Sequence, residues 1–280
     1  MEIYKILNNN VIVSKNEHDK EIIAMGKGIA FKKKVGEHIE DELIDKVYTL
    51  SDEVSSKFQE LAAEIPVEHM KISDDIIKYV KLKLGKKLND SIYLSLCDHI
   101  STAILRHEEG VDVKNVLLWD IKKFYKDEFE IGKHGLEMIK EKLNVQLNED
   151  EAGFIALHIV NAEMDEKLET IYEVTKVMQE ILNIVKYFFH IDFDEDSVYF
   201  YRFITHLKFF AHRLITKSSY QDEQSDDLLE LIKIKYKNAY ACCLKIKQFL
   251  KTNYAYDLSQ EETLYLTIHI ARVVYKNERS

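Results

Sequence analysis

Residues 125–162, YKDEFEIGKHGLEMIKEKLNVQLNEDEAGFIALHIVNA, and residues 236–273, YKNAYACCLKIKQFLKTNYAYDLSQEETLYLTIHIARV, are two versions of one pattern at a constant offset of 111. Tyr125 falls on Tyr236, Phe129 on Tyr240, Ile139 on Leu250, Leu147 on Leu258, Glu151 on Glu262 and Phe154 on Tyr265, and His158 falls on His269. Apolar residues recur every three or four positions in both, which is the period of a helix with one buried face. A repeat of this length predicts two copies of one helical unit.

Upstream, Asp98-His99-Ile100 with Arg106 matches Thr205-His206-Leu207 with Arg213 at an offset of 107. In each case the Arg follows the His by seven residues, two turns along the same helix face. The change of four in the offset is one loop-length difference, so the copies are placed at about 60–170 and 171–280, each with two histidines. From about Ser51 onward the helical period continues, as in Ile92, Leu96, Ile100 and Ile104, with a single Pro in the whole chain, Pro66. Such a body is all-α.

The first fifty residues follow a different grammar. Glu2–Leu7, Val11–Lys15, Glu21–Met25 and Ile29–Phe31 read as short strands, with a further one at Val47–Leu50. They are separated by Asn8-Asn9-Asn10, by 16–20 and by Gly26-Lys27-Gly28, residues that tolerate tight turns. A small all-β antiparallel sheet of that size has little core, so self-association across one face is expected.

Length and composition bound the functions. With 280 residues, 46% of them hydrophobic and 31% charged, the chain can bury cores, which excludes a disordered or fibrous polymer. No apolar run reaches the roughly 18 to 20 residues that span a bilayer, and the polar start MEIYKILNNN does not read as a secretory signal, so a cytoplasmic protein without membrane insertion is expected. Cys97, Cys242 and Cys243 are odd in number and wrongly spaced for a disulfide framework or a metal site, and are read as small buried apolar residues. The net charge of −10 argues against a general nucleic-acid binder, yet it is unevenly spread: residues 1–36 hold seven Lys against four acids, a net of +3, and the remainder carries −13. The basic N-terminus is suited to a polyanion and the acidic body is not.

A lone His among apolar helix residues is usually a core or boundary residue, but two diverged copies that both keep two histidines ask for a shared role. Zinc would need a third ligand, and neither HExxH, HxH nor a matching Cys is present. General acid–base work would use a pKa near 6.5, but no nucleophile motif, phosphate loop or carboxylate pair stands beside the histidines in sequence. The third role is phosphoryl acceptance, in which neutral imidazole is the nucleophile and the product brings about two negative charges to a helix face. Arg106 and Arg213 are then the local cationic partners. His18, His38, His69, His107, His134, His190 and His212 lack a counterpart in the other copy and are read as surface or boundary residues. At the N-terminus, the amides of Asn8 to Asn10, the close-approach glycines Gly26 and Gly28, and Phe31 beside Lys32 to Lys34 are the elements that read unpaired RNA bases.

On these residues the chain resembles, over essentially its whole length, the BglG/SacY/LicT family of bacterial transcriptional antiterminators. The resemblance is carried by MEIYKILNNNVIVS, by MGKGIAFKKKVG, and by the DH, LHI, TH and IHI histidine sites. It implies that residues 1–55 form a dimeric co-antiterminator (CAT) RNA-binding domain, followed by two regulation domains of the sugar phosphotransferase system (PTS) at 60–170 and 171–280. It further implies a homodimer without enzymatic activity or cofactor that binds a hairpin in a leader mRNA and prevents terminator formation ahead of sugar-utilisation genes. The implied RNA-binding residues are Lys5, Asn10, Gly26, Lys27, Gly28 and Phe31. The implied phosphorylation sites are His99, His158, His206 and His269, with the first pair served by a sugar-specific enzyme II and inhibitory, and the second served by HPr and activating. Many members carry Arg where this chain has Lys27, and Lys lacks the planar fork for bidentate contact. The rival from another class is a histidine phosphocarrier that passes phosphate onward; a DNA-binding repressor is disfavoured because the strand-like N-terminus offers no helix-turn-helix.

Overall fold

A computed structural model describes residues 1–165, 167–217 and 226–275. The chain divides into two compact units, Met1–Glu166 and Lys167–Ser280. The first opens with a four-stranded antiparallel sheet in the order β1-β2-β3-β4: β1 Lys5–Asn8, β2 Val11–Lys15, β3 Glu21–Met25 and β4 Lys46–Tyr48. Six helices follow: α1 Asp52–Glu64, α2 Val67–Leu84, α3 Ser91–Glu108, α4 Leu118–Phe124, α5 Lys126–Leu143 and α6 Glu149–Met164. The second unit contains α7 Leu168–Phe189, α8 Val198–Thr216, α9 Asp226–Lys235, α10 Lys237–Tyr254 and α11 Gln260–Tyr275. Helices α2 to α6 and α7 to α11 are therefore the two copies, and the end of the second, 276–280, lies outside the described residues. No helix among the described residues is long and apolar enough to cross a membrane.

Strands β2 and β3 lie where the alternating apolar runs predict them, and β2 is buried at Val11, Ile12, Val13 and Ser14 because the sheet is covered on both faces. On one face Ile12 and Ala24 pack with Ile3, Ile29, Ala30 and Ile39, supplied by the chain outside the strands. On the other, Val11, Ile23, Met25 and Tyr48 pack against Phe58, Ala62 and Ile65 at α1 and on to Met70 and Cys97. Both faces of the sheet are thus lined by residues of the same chain. Two strand readings need correction. The ladder of β1 begins at Lys5, with Glu2 joined only by an isolated bridge to His38. Ile29–Phe31 is a run of turns, in which the Ile29 N–H donates to Gly26 O and the Phe31 N–H to Gly28 O. Positive φ at Gly28 (69°) and Lys32 (58°) curls the segment out of ladder geometry while Ile29 and Ala30 still bury against the sheet.

The copies share local geometry beyond their helices. Tyr125 and Tyr236 precede α5 and α10 with nearly the same backbone, φ −130°, ψ 49° and φ −121°, ψ 49°, and Asn144 and Ala255 end them in the left-handed region. Their helix contacts are built differently. A Cβ on Gly132 would sit 2.3 Å from the Ala152 carbonyl oxygen, so α5 and α6 touch backbone to backbone. In the second copy Cys243 stands at that place and its thiol donates to the Thr263 carbonyl at 3.6 Å. All three cysteines are buried and free.

Gly132→Ala should destabilise the first unit by about 3 kcal/mol, because backbone must move to admit the methyl. Gly135→Ala, whose added carbon would meet only the Ile76 side chain at 3.4 Å, should be neutral or gain up to about 1 kcal/mol from helix propensity. Urea unfolding of both variants checks this, and equal losses would contradict the close α5–α6 approach.

Candidate functional site

The β1–β2 turn and the 26–31 turns meet at one end of the sheet. The Asn10 carbonyl accepts from Gly26 N–H at 2.9 Å and its side-chain oxygen accepts from Gly28 N–H at 2.8 Å, so Asn10 locks the glycine turn through its two oxygens. The Ala30 N–H donates to the Asn9 carbonyl at 3.0 Å. This pins the turn that presents Phe31, a residue 59% exposed, with the Lys32 ammonium 5.3 Å from its ring centroid. A large exposed ring flanked by cations is costly in water and suited to stacking on a base next to phosphates. Among the described residues, the ammonium groups of Lys27, Lys32 and Lys34 have no carboxylate partner.

Three expected participants turn out differently. Gly26 is buried, and the group its missing side chain admits is the Leu43 carbonyl, which a Cβ would approach to 1.9 Å, so it shapes the tip from below rather than meeting a ligand. Asn8 is committed to structure: its Nδ2 donates to Ala62 O at 2.8 Å and its Oδ1 accepts from Asn10 N–H at 2.7 Å. Lys5 is exposed on the α1 side of the sheet, with its Nζ 3.5 Å from Gln59 Oε1, apart from the Asn10–Phe31 tip. The structure brings together Asn10, Gly28, Phe31 and the exposed Lys27.

In the helical copies the anchor histidines meet in pairs. His99 on α3 and His158 on α6 have ring centroids 4.8 Å apart, and His206 on α8 and His269 on α11 have theirs 4.3 Å apart. Around the first pair, Glu151 reaches in from α6: its Oε2 lies 3.0 Å from His99 Nε2, without the alignment of a hydrogen bond, while its Oε1 accepts from Arg106 Nη2 at 3.0 Å. Phe154 flanks His99 at 5.7 Å. Around the second pair, Tyr265, the counterpart of Phe154, puts its hydroxyl in hydrogen bond with His206 Nδ1. Glu262 is drawn away, accepting from the Tyr256 hydroxyl at 2.7 Å and from Ser259 N–H at 3.1 Å, and Arg213 follows it at 3.9 Å. Glu151 and Glu262 stand in the repeat as one matched pair, a signal of a place at the site that the reading of the histidines passed over.

Burial sets the protonation of the inner histidines. It holds His158 down to about 3, helped by the charge of His99, and its Nδ1 is buried with no hydrogen-bond partner among the described residues. His269 is held down to about 4 by burial, then by His206, Arg272 and Arg202, and His206 is lowered by burial and Arg202. These three rings are neutral at pH 7, the form that accepts a phosphoryl group. Among the described residues no three His, Cys, Asp or Glu side chains are placed to hold a metal. None of the seven other histidines is buried: His69 leans on Ser101, and His107 and His134 on Asp112 and Glu137.

Comparison with known proteins bears on both sites. Residues 1–57 match the model of the CAT RNA binding domain, and residues 74–162 and 179–273 each match the PRD domain. Transcription antiterminator LicT of Bacillus subtilis (strain 168) is 55% identical over 275 residues, covering 98% of this chain and 99% of its own. The beta-glucoside operon antiterminator of Dickeya chrysanthemi is 44% identical over 274 residues, 98% of this chain and 96% of its own. The crystal structure of GlcT CAT-PRDI superposes with a TM-score of 0.51 at 37% identity, covering 58% of this chain and 97% of that one.

Because the folded pKa of His158 lies below the unfolded value of about 6.5, the unfolded chain binds more protons between about pH 6.5 and 3, and stability falls as the pH drops through that window. Between pH 7 and pH 5 this amounts to about 2 kcal/mol. His158→Gln should lose that much less stability over the same interval in urea unfolding. An unchanged pH dependence would mean that His158 is not buried in its neutral form.

Proposed function

The chain belongs to the BglG/SacY/LicT family of transcriptional antiterminators, with a CAT RNA-binding domain ahead of two PRD domains, and from that membership we propose how its residues divide the work. The antiterminator acts as a cytoplasmic homodimer that binds a hairpin in the leader mRNA of sugar-utilisation genes and keeps the terminator from forming. It catalyses no reaction. The observation that carries the RNA site is the exposed Phe31 ring beside unpaired lysines, presented by turns that Asn10 and Gly28 lock together. Asn10 Nδ2 reads a base edge, Phe31 stacks, Lys27 meets a phosphate at the tip, Lys5 meets one farther along on the α1 side of the sheet, and Gly26 and Gly28 give the tip its shape. The domains run over about 1–55, 60–170 and 171–280.

The four paired histidines accept phosphoryl groups from the PTS: His99 and His158 from a sugar-specific enzyme II, which inhibits, and His206 and His269 from HPr, which activates. The neutral imidazoles of His158, His206 and His269, with Arg106 and Arg213 near the two pairs, support this reading, since an incoming phosphate finds both a nucleophile and a cation. Family membership sets the phosphocarrier reading aside, because a carrier has no use for an RNA-binding sheet.

Phe31→Ala should weaken binding to a leader-type hairpin with internal loops by about ten-fold or more in a mobility-shift titration, as expected for removal of one stacked base, with the helical circular dichroism unchanged. Retained affinity would move the RNA site elsewhere. In a phosphotransfer assay with HPr, the double variant His206→Ala, His269→Ala should lose its HPr-dependent label while the His99, His158 variant keeps it. Label surviving in the former would reassign the sites.

A further inference from the structure

Residues 41–48 return beneath the 26–31 tip and then become an edge strand of the sheet. Asp45 N–H donates to the Met25 carbonyl at 2.8 Å, and Asp45 Oδ2 accepts from the Lys27 backbone N–H at 3.3 Å. The same oxygen lies 2.6 Å from Lys71 Nζ, on α2 of the first helical domain. The next residue, Lys46, reaches the same helix one turn on, its Nζ 3.0 Å from Asp74 Oδ1, while Asp74 Oδ2 is held by Lys78 at 2.7 Å. An acid and a base adjacent in the sheet domain are thus crossed with a base and an acid three apart on α2.

The two pairs differ in environment. Asp74 is 4% exposed, so the Lys46–Asp74 pair anchors the domains to each other. The Asp45–Lys71 pair is open to water, with side chains 46% and 39% exposed. Pairs so exposed contribute little to stability and shift readily between partners. Here, however, the shared carboxylate also holds the backbone of Lys27. Helix α2 packs in turn on α3, which carries His99, and His69 Nδ1 lies 3.1 Å from Ser101 Oγ, two residues beyond that histidine.

We propose that Asp45 is a positioning residue for the 26–31 tip and that Lys71 sets Asp45, so that the first helical domain tunes hairpin affinity through this one carboxylate. The inference rests on the RNA reading of the tip. When α2 keeps Lys71 in place, the Asp45 carboxylate is fixed and the Lys27–Gly28 backbone is held ready for RNA. When α2 shifts, the carboxylate is released and the tip loses its support.

The test uses the full chain with Lys71→Met, Asp45→Asn, the double variant, Lys71→Arg, and Phe31→Ala as control. Hydrogen exchange without RNA should speed up in 26–31 for Lys71→Met and Asp45→Asn and stay unchanged in α5 and α6. Binding to a leader-type hairpin with internal loops should weaken roughly five-fold in each single variant and no further in the double variant, the signature of one shared interaction. Lys71→Arg should restore it. The slope of log affinity against log salt should stay that of the wild type, since a lysine that neutralises a phosphate would, once replaced, lower it by about one. Unchanged exchange in 26–31, additive losses or a lowered slope would each overturn the proposal. If wild-type protein fails to bind the hairpin at all, the RNA reading falls, and exchange in 26–31 still decides whether Lys71 controls the tip.

Discussion

Four short strands present two apolar faces and have too little chain to cover both. Burial of the second face is the constraint from which the rest of the first unit follows. The chain between Gly26 and Ile44 folds back over one side, and α1 with the start of the first PRD domain closes over the other, so Val11, Ile23, Met25 and Tyr48 share one core with Phe58, Met70 and Cys97. Removing large apolar groups from water at about 25 cal/mol per Å² makes that shared core the strongest tie between the RNA-binding sheet and its regulator. The polar contacts at its rim, Asn8 to Ala62 and Gln59 to Glu21, fix the register of α1 on the sheet rather than supply the energy.

Much of this arrangement is legible in the residues themselves. The shift from period two to period three or four near residue 51 locates the sheet and the helices, and β2 and β3 fall where alternation puts them. Ile29–Phe31 misleads because three apolar residues in a row satisfy a strand pattern while their backbone answers to Gly28 and Lys32 on either side. Gly26 misleads for the opposite reason. Its lack of a side chain says that something must come close, and only the fold reveals that it is Leu43. The repeat locates all four site histidines but not the geometry of Glu151, since matched positions do not say which way a carboxylate turns.

That carboxylate is where the copies part. At the offset of 111, Phe154 corresponds to Tyr265 and Val145 to Tyr256. Two added hydroxyls in the second copy take part in its different wiring: one bonds His206, and the other, with the Ser259 N–H, holds Glu262, which Arg213 faces at 3.9 Å. In the first copy neither hydroxyl exists, and Glu151 is left between Arg106 and His99.

The consequence for an added phosphate is asymmetric. At His99 a phosphoryl group of about two negative charges would arrive against Glu151, a carboxylate whose side chain is 5% exposed and which already occupies Arg106. Like charges at such spacing in a buried site repel strongly, so a phosphate on His99 and Glu151 would compete for Arg106. At His206 a phosphate would displace the Tyr265 hydroxyl and meet Arg213, which faces Glu262 at 3.9 Å. A phosphoryl group at either pair would therefore meet different neighbours, a buried Glu151–Arg106 pair in the first copy and a tyrosine hydroxyl beside the more distant Glu262–Arg213 pair in the second. Two diverged copies of one helical domain thus keep the same histidine pair inside differently wired surroundings, with phenylalanine against tyrosine at 154 and 265 and valine against tyrosine at 145 and 256 among the differences.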